Sequence, residues 1–265
     1  MSEPGSPLQS VGFRWLMLYR ICTLLSYQMV AVTVGWHIYE ITRDPWSLGL
    51  VGLAEVIPFF CVAPFSGYLV DHLPRRKLGA VACTVLAANA AVLALVAAGV
   101  IPSHALWPIY AAIAVGGIGR SFIGPVHNAL FARVLRREQF VRGASIGSVV
   151  FQTGLVMGPA IGGVLIAAIG KSFTYALATA FALGAAGALL WMPVTEPALP
   201  QQRGPIFASI AEGLRFVFGH QLLLAALALN MFAVLLGGAI SLAPAFIKDI
   251  LHEGPEALGI LRAAP

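Results

Sequence analysis

Seven apolar blocks constrain this chain more than any other feature, at roughly 14–38, 47–70, 78–100, 105–131, 143–168, 172–192 and 221–246. A helix rising 1.5 Å per residue needs about 20 residues to cross the hydrocarbon of a bilayer, and each block is long enough. Each break carries its own punctuation: Asp44-Pro45, Leu73-Pro74, Ile101-Pro102, Arg136-Arg137-Glu138 and Gly170-Lys171. Prolines and charges are what a membrane chain keeps out of hydrocarbon. The expected fold class is an all-α membrane protein, with membrane lipid as its surroundings.

Composition excludes the soluble alternative. Of 265 residues, 59% are apolar and only 10% charged, where a water-exposed domain carries about 25% charged residues. The residues before the first block are polar and lack a basic leader, so that block is expected to stay as a span. The formal charge of +5 sits in short loops between apolar blocks, which speaks for membrane topology and against a nucleic-acid partner. Cys22, Cys61 and Cys83 each lie inside an apolar block and read as small buried hydrophobes. The pattern holds no metal-ligand or cofactor constellation. It also lacks HExxH, paired catalytic carboxylates and a nucleophile–base arrangement, so no enzyme is expected.

Basic residues alternate in side. One set of connections holds Arg75, Arg76 and Lys77, then Arg133, Arg136, Arg137 and Arg142, then Arg203 and Arg215. The opposite set holds only Arg43, Lys171 and Lys248. Positive charge is retained in the cytoplasm, so the N-terminus is expected inside. The segmentation predicts a cytoplasmic tail at 1–13, a six-helix unit at 14–192 and a linker with an amphipathic helix at 193–220. A seventh transmembrane helix at 221–246 follows, then an outer loop with the opening turns of an eighth at 247–265. Residues 193–205 hold four prolines, and Ile206, Phe207, Ile210, Leu214 and Val217 recur at helical spacing. The last apolar stretch is too short to span, which reads as a truncated product.

Three local patterns carry mechanism. Between spans two and three runs Gly67-Tyr68-Leu69-Val70-Asp71-His72-Leu73-Pro74-Arg75-Arg76-Lys77. Gly67 would let span two approach a neighbour closely, Asp71 could bond backbone N–H groups at a helix N-terminus, and Arg75 and Arg76 could bridge to the end of span four. In span five, Gly154-Leu-Val-Met-Gly158-Pro159-Ala-Ile-Gly162-Gly163 continues a row begun by Gly143 and Gly147. At 100° per residue, Gly143, Gly147, Gly154, Gly158 and Gly162 fall within an arc of about 100°, a smooth stripe for another helix. Pro159 removes one backbone hydrogen bond and favours a bend. In span four, Gly116-Gly117-Ile118-Gly119-Arg120 places a cation at membrane depth, with Gly124 and His127 on the same face.

Together these patterns resemble the major facilitator superfamily. The first is similar to its loop signature G-x-L-x-D-R-x-G-R-[RK], with His72 in place of Arg and Pro74 in place of Gly. The second is similar to its antiporter signature G-x-x-x-G-P-x-x-G-G. The stretches GWHIYEITRDPWSLGLVGLAEVIP, GPVHNAL and GLRFVFGHQLLL most resemble the drug-export branch that includes enterobactin-exporter-like proteins. The resemblance implies an N-terminal six-helix bundle of 3+3 inverted repeats, plus a seventh transmembrane helix and an incomplete C-terminal half. It implies a monomeric inner-membrane exporter of small amphiphilic or siderophore-like substrates, driven by protons through alternating access. It makes Gly67, Asp71, Arg75, Arg76 and Lys77 a conformational latch that stabilises the outward-facing state. It links Arg120 to proton transfer and places an acidic residue where this chain has Asn230, which cannot titrate. It also implies a cavity between two six-helix halves, for which this chain alone supplies no opposite wall.

Other buried polar residues are candidates on their own chemistry. Glu55 lies well inside span two, where desolvation would raise a lone carboxylate and a nearby Arg20 or Arg120 would lower it. That balance suits a proton-coupling carboxylate, and equally a structural partner for an arginine. Arg20 and Tyr27, seven residues apart, lie nearly on one face of span one. Tyr27, Gln28, Gln152 and Asn230 are candidate substrate-facing residues, and Asn89 and Gln152 can each bond across helices. Trp36, Trp46 and Trp191 near span ends suit an interfacial aromatic belt. A non-transporting remnant, a facilitator without proton coupling and a homodimeric half-size carrier remain open as alternatives.

Overall fold

The computed structural model describes residues 6–101, 106–194, 206–236 and 242–263, and the regular structure among them is helical throughout. Six long helices form the body: α1 (Val11–Thr42), α2 (Pro45–His72), α3 (Arg75–Ala97), α4 (Trp107–Val134), α5 (Phe140–Ala168) and α6 (Lys171–Trp191). All six are long and apolar enough to span a membrane. Beyond them lie α7 (Ile206–Gly219), α8 (Gln221–Leu236), the short α9 (Ala243–Phe246) with a π turn at Ile247–Leu251, and α10 (Pro255–Ala263).

The boundaries follow local chemistry. Ser10 caps α1 by accepting from the Phe13 N–H. Its other end stops where Arg43 adopts a left-handed conformation, φ 51°, and donates its N–H back to the Tyr39 carbonyl. Asp44 then caps α2, accepting from the Trp46 N–H at 3.1 Å, with Pro45 at the first helical position. The α5–α6 turn passes through Gly170 at φ 97°, a region an L side chain rarely adopts.

Helix adjacency carries an internal symmetry. Within the six-helix body the principal packed pairs are α2 with α4, α1 with α5, α3 with α4, α1 with α6, and α3 with α6, and α10 packs on α5 from outside that set. Exchanging α1 with α4, α2 with α5 and α3 with α6 maps this set onto itself. Two three-helix units related in this way are the 3+3 repeat that the resemblance implies, and such repeats place sites at their interface.

Two apolar clusters fill the bundle. One, around Phe13, Leu16, Tyr19, Leu130 and Leu189, lies toward the α2–α3 turn. The other, around Ile38, Tyr39, Leu93, Ile109 and Tyr175, lies toward the α1–α2 turn. Cys22 and Cys83 are buried as expected, but Cys61 is exposed, because α2 packs mainly on α4 and presents its remaining surface outward.

The segment expected as one span at 221–246 is less regular. The 16-residue α8 follows α7 at 89°, and the chain then runs through residues outside the described set to α9. Most of the linker expected at 193–205 also lies outside the described residues. The Phe207 ring of α7 meets Phe65 of α2 edge-on, with centroids 6.1 Å apart.

Candidate functional site

The site begins with missing side chains on α4. A Cβ on Gly117 would fall onto the carbonyl oxygen of Glu55. One on Gly116 would sit 2.5 Å from Asn89 Nδ2, and one on Gly119 3.3 Å from the Ala82 carbonyl oxygen. Glycine at these positions lets α4 approach both α2 and α3 closely. Arg120, the next residue, is thereby brought against Glu55: Nη1 donates to Oε1 at 2.6 Å. The guanidinium carbon also stands 4.1 Å from the Tyr27 ring centroid and 5.6 Å from that of Phe59. The Arg120 side chain is 40% exposed and that of Glu55 21%, so water or a ligand can reach the pair.

Beside this pair lies a cavity of about 350 Å³, the size of a small-molecule site. Tyr27, Gln28, Glu55 and Asn89 contribute its polar wall, with Val30, Val51 and Ile113 among the apolar residues. Pro159 of α5 and Arg262 of α10 complete the lining. The absence of an opposite wall, expected above, is therefore corrected in part: α10 supplies a piece of one. The cavity sits toward the α1–α2 turn relative to the middle of α1, α2 and α4.

Of the other candidates, Arg20 stacks over the Phe151 ring of α5 at 5.0 Å, while Arg120 takes the contact with Glu55. Gln152 is exposed and stands outside the cavity wall. Asn230 lies in α8, its side chain outside the described residues. His127 is buried between the Tyr19 and Phe131 rings, and its Nδ1 has no hydrogen-bond partner. Among the described residues Asn89 forms no cross-helix bond through Oδ1, which is buried and unpartnered, while its Nδ2 lies against Gly116.

The glycine face of α5 divides between two neighbours. Gly154, Gly158 and Gly162 pack on Leu24, Gln28 and Met29 of α1, where a Cβ on Gly158 would come within 2.5 Å of Gln28 Cβ. Gly163 turns to α10, where its Cβ would stand 2.7 Å from Gly259 Cα. The stripe stops short of its expected length: Gly143 abuts Leu135 and Phe131, and a Cβ on Gly147 would meet nothing within 4 Å.

In the α2–α3 loop, Asp71 is exposed, 4.0 Å from Arg75, and caps no helix among the described residues. Arg75 donates to the Val70 carbonyl, and Arg76 reaches α6, donating from Nε to the Leu189 carbonyl at 2.9 Å and from Nη2 to that of Leu190. The bridge to span four is corrected on this point: α3 packs along α6, whose last carbonyls lack helical partners and accept a cation well. Lys77 is exposed, and a Cβ on Gly67 would meet nothing within 4 Å. His72 stacks on Tyr68 and bonds its carbonyl at 2.8 Å.

At the opposite end of the bundle, the α9–α10 segment is tied to α1. Tyr39 donates its hydroxyl to Asp249, Lys248 stands 5.0 Å over the Trp36 ring, and Pro244 fills the space beside Gly35. Lys171 and Glu40 pair next to these contacts. Desolvation, and then the charge of Arg43, hold the Lys248 ammonium below the ordinary lysine range. Trp36 is buried here under Ala243, Ile247 and Leu258 instead of joining an interfacial belt, whereas Trp46 and Trp191 are exposed.

The profile of the transmembrane secretion effector family, MFS_3, matches residues 2–264. The uncharacterized MFS-type transporter YfiS of Bacillus subtilis is 26% identical over 218 residues, covering 80% of this chain and 48% of that protein. The enterobactin exporter EntS of Escherichia coli O157:H7 is 28% identical over 211 residues, covering 80% of this chain and 50% of the exporter. The chain thus spans about half the length of these curated relatives. Among solved structures, one from a study of substrate recognition in proton dependent oligopeptide transporters superposes with a TM-score of 0.53 at 14% identity, covering 90% of this chain and 54% of that one. Tetrameric PepTSo2 gives 0.50 at 15% identity, covering 94% and 50%. At these identities the two structures speak for the fold.

Proposed function

The chain belongs to the transmembrane secretion effector family of the major facilitator superfamily, and on that footing we propose that it carries the core of a proton-coupled exporter of small amphiphilic solutes. The observation that carries this reading is the Glu55–Arg120 pair at the cavity. In this reading the coupling proton is carried at the Glu55 carboxylate, which water reaches through the cavity. Protonation releases the arginine, and a released arginine favours a different packing of α4 against α2. Protons are the proposed coupling ion, Arg120 and Glu55 the coupling residues, and Tyr27 and Gln28 the substrate-facing residues on α1.

The geometry supports alternating access in one particular state. The α9–α10 segment is bound to α1 at the α1–α2 end, while Asp71 at the α2–α3 end is exposed. With the N-terminus inside, as the basic residues of the α2–α3 and α4–α5 connections argue, the closed end is the outer one. The proposed setting is the inner membrane, with a monomer as the working unit, a six-helix half at 14–192 and a second half entered through α8. The enterobactin exporter among its relatives motivates siderophore-like or drug-like cargo.

Inverted membrane vesicles from cells expressing the protein in its full reading frame provide the test. Uptake of a fluorescent amphiphile should follow an imposed pH gradient and collapse when nigericin dissipates it. Uptake indifferent to the gradient would leave a facilitator, and no uptake at all would remove the transport reading.

A further inference from the structure

Among the described residues Arg262 is the one cation lining the cavity directly, and it belongs to none of the sequence patterns. Two features of the chain put it there. Gly259 and Gly163 let α10 sit directly on α5: a Cβ on Gly259 would stand 2.7 Å from the Pro159 carbonyl oxygen. Gly35 of α1 then leaves room for the guanidinium, whose Nη2 lies 3.8 Å from where a Cβ on residue 35 would be.

The charges around the cavity do not balance. Among the described residues Glu55 is the one carboxylate in the wall, and its hydrogen bond at 2.6 Å goes to Arg120. Arg262 forms no ion pair among the described residues, and its Nε is shut off from solvent without a hydrogen-bond partner. Across the same cavity Asn89 Oδ1 is likewise buried and unpartnered. Two guanidiniums against one carboxylate leave one positive charge over, inside walls that are mostly apolar. A guanidinium at a mostly apolar cavity without an ion-pair partner calls for a counter-charge, and an anionic ligand supplies one.

We propose that this cavity binds an amphiphilic organic anion, with the Arg262 guanidinium receiving its carboxylate or sulfonate and the apolar wall holding its body. A guanidinium presents its two Nη groups as a planar fork that matches an oxyanion with two parallel hydrogen bonds. Net positive charge in the wall selects against lipophilic cations of the same size. This assignment rests on the cavity being the transport site, and it adds the charge class of the cargo.

The test is equilibrium binding, in the absence of any gradient, to the full chain in nanodiscs of zwitterionic lipid. The probes are 1-pyrenebutyrate and 1-pyrenebutylamine, which share one apolar body and carry opposite charge. After subtraction of empty nanodiscs, the anion should bind at least about tenfold more tightly than the cation, since a hydrogen bond to a charged group is worth about that much or more. Arg262→Gln should abolish the preference and Arg262→Lys should retain part of it. Equal binding of the two probes by the unaltered chain, or a preference untouched by Arg262→Gln, overturns the proposal. Glu55→Gln separates the two readings: it should keep or raise the preference for the anion while removing gradient dependence from vesicle uptake. Failure of the anion preference therefore leaves proton coupling standing, and failure of coupling leaves the anion site standing.

Discussion

Arg120 and Glu55 are 65 residues apart in sequence and 2.6 Å apart in space, and their meeting depends on Gly117. The glycine admits the Glu55 carbonyl where a side chain would stand, and the carboxylate of the same residue then faces the guanidinium one turn along. Backbone approach and charge pairing are a single feature, and each has separate consequences.

Arg120→Leu should cost stability, because it strands the Glu55 carboxylate at membrane depth. Breaking a fully buried pair costs about 3–5 kcal/mol, and the partial exposure here lowers the expected loss to roughly 2 kcal/mol. Adding Glu55→Gln to the same protein should recover most of it. Thermal unfolding in detergent reads both, and a single variant as stable as the original would show that the pair contributes no stability.

Gly117→Ala should push α2 from α4 and lower the melting temperature measurably. Gly184→Ala is the contrast, since a Cβ there meets nothing within 4 Å, and a change within about 0.5 kcal/mol is expected for such a site. Equal effects at the two positions would mean that the close α2–α4 approach has no energetic weight.

Asp71→Asn should reduce vesicle uptake several-fold while leaving insertion and melting unchanged. The carboxylate is exposed, and its nearest cation, Arg75, is 4.0 Å away, so little folding energy depends on it. Undiminished uptake would end the latch role.

The contacts between α1 and the α9–α10 segment should govern access from the α1–α2 end. In a background without Cys22, Cys61 and Cys83, a cysteine at Val34 of the cavity wall should react slowly with an impermeant maleimide from that side. Tyr39→Phe combined with Lys248→Ala removes the Asp249 bond and the Trp36 contact, and should raise the labelling rate several-fold. An unchanged rate would mean that these contacts do not close the cavity.

The six long helices were legible in the sequence, because hydrocarbon demands uninterrupted apolar length and several ends carry a cap or a proline. The Arg43-Asp44-Pro45 turn shows why: its left-handed residue, capping carboxylate and first-turn proline are all local. Partners across helices were harder to read. Glu55 had two arginines within plausible reach, and only the glycines of α4 decided for Arg120. Arg76 chose α6 over α4 through the packing of α3, which no local pattern encodes. Gly147 fits the glycine arc by angle, yet no neighbour comes within reach there. Arg262 belongs to no local pattern in the sequence, so its role depended on where α10 docks. Gly259, four residues from Pro255 and three from Arg262, was the available signal for close docking.

The most direct measurement is pH-gradient-driven uptake in inverted vesicles carrying the protein in its full reading frame, compared with its Glu55→Gln variant at equal membrane abundance. Proton coupling through the Glu55–Arg120 pair predicts that the variant loses the dependence on the gradient, since the amide cannot carry the proton. A variant whose uptake still rises and falls with the gradient as the original does would contradict that account and move the coupling site elsewhere.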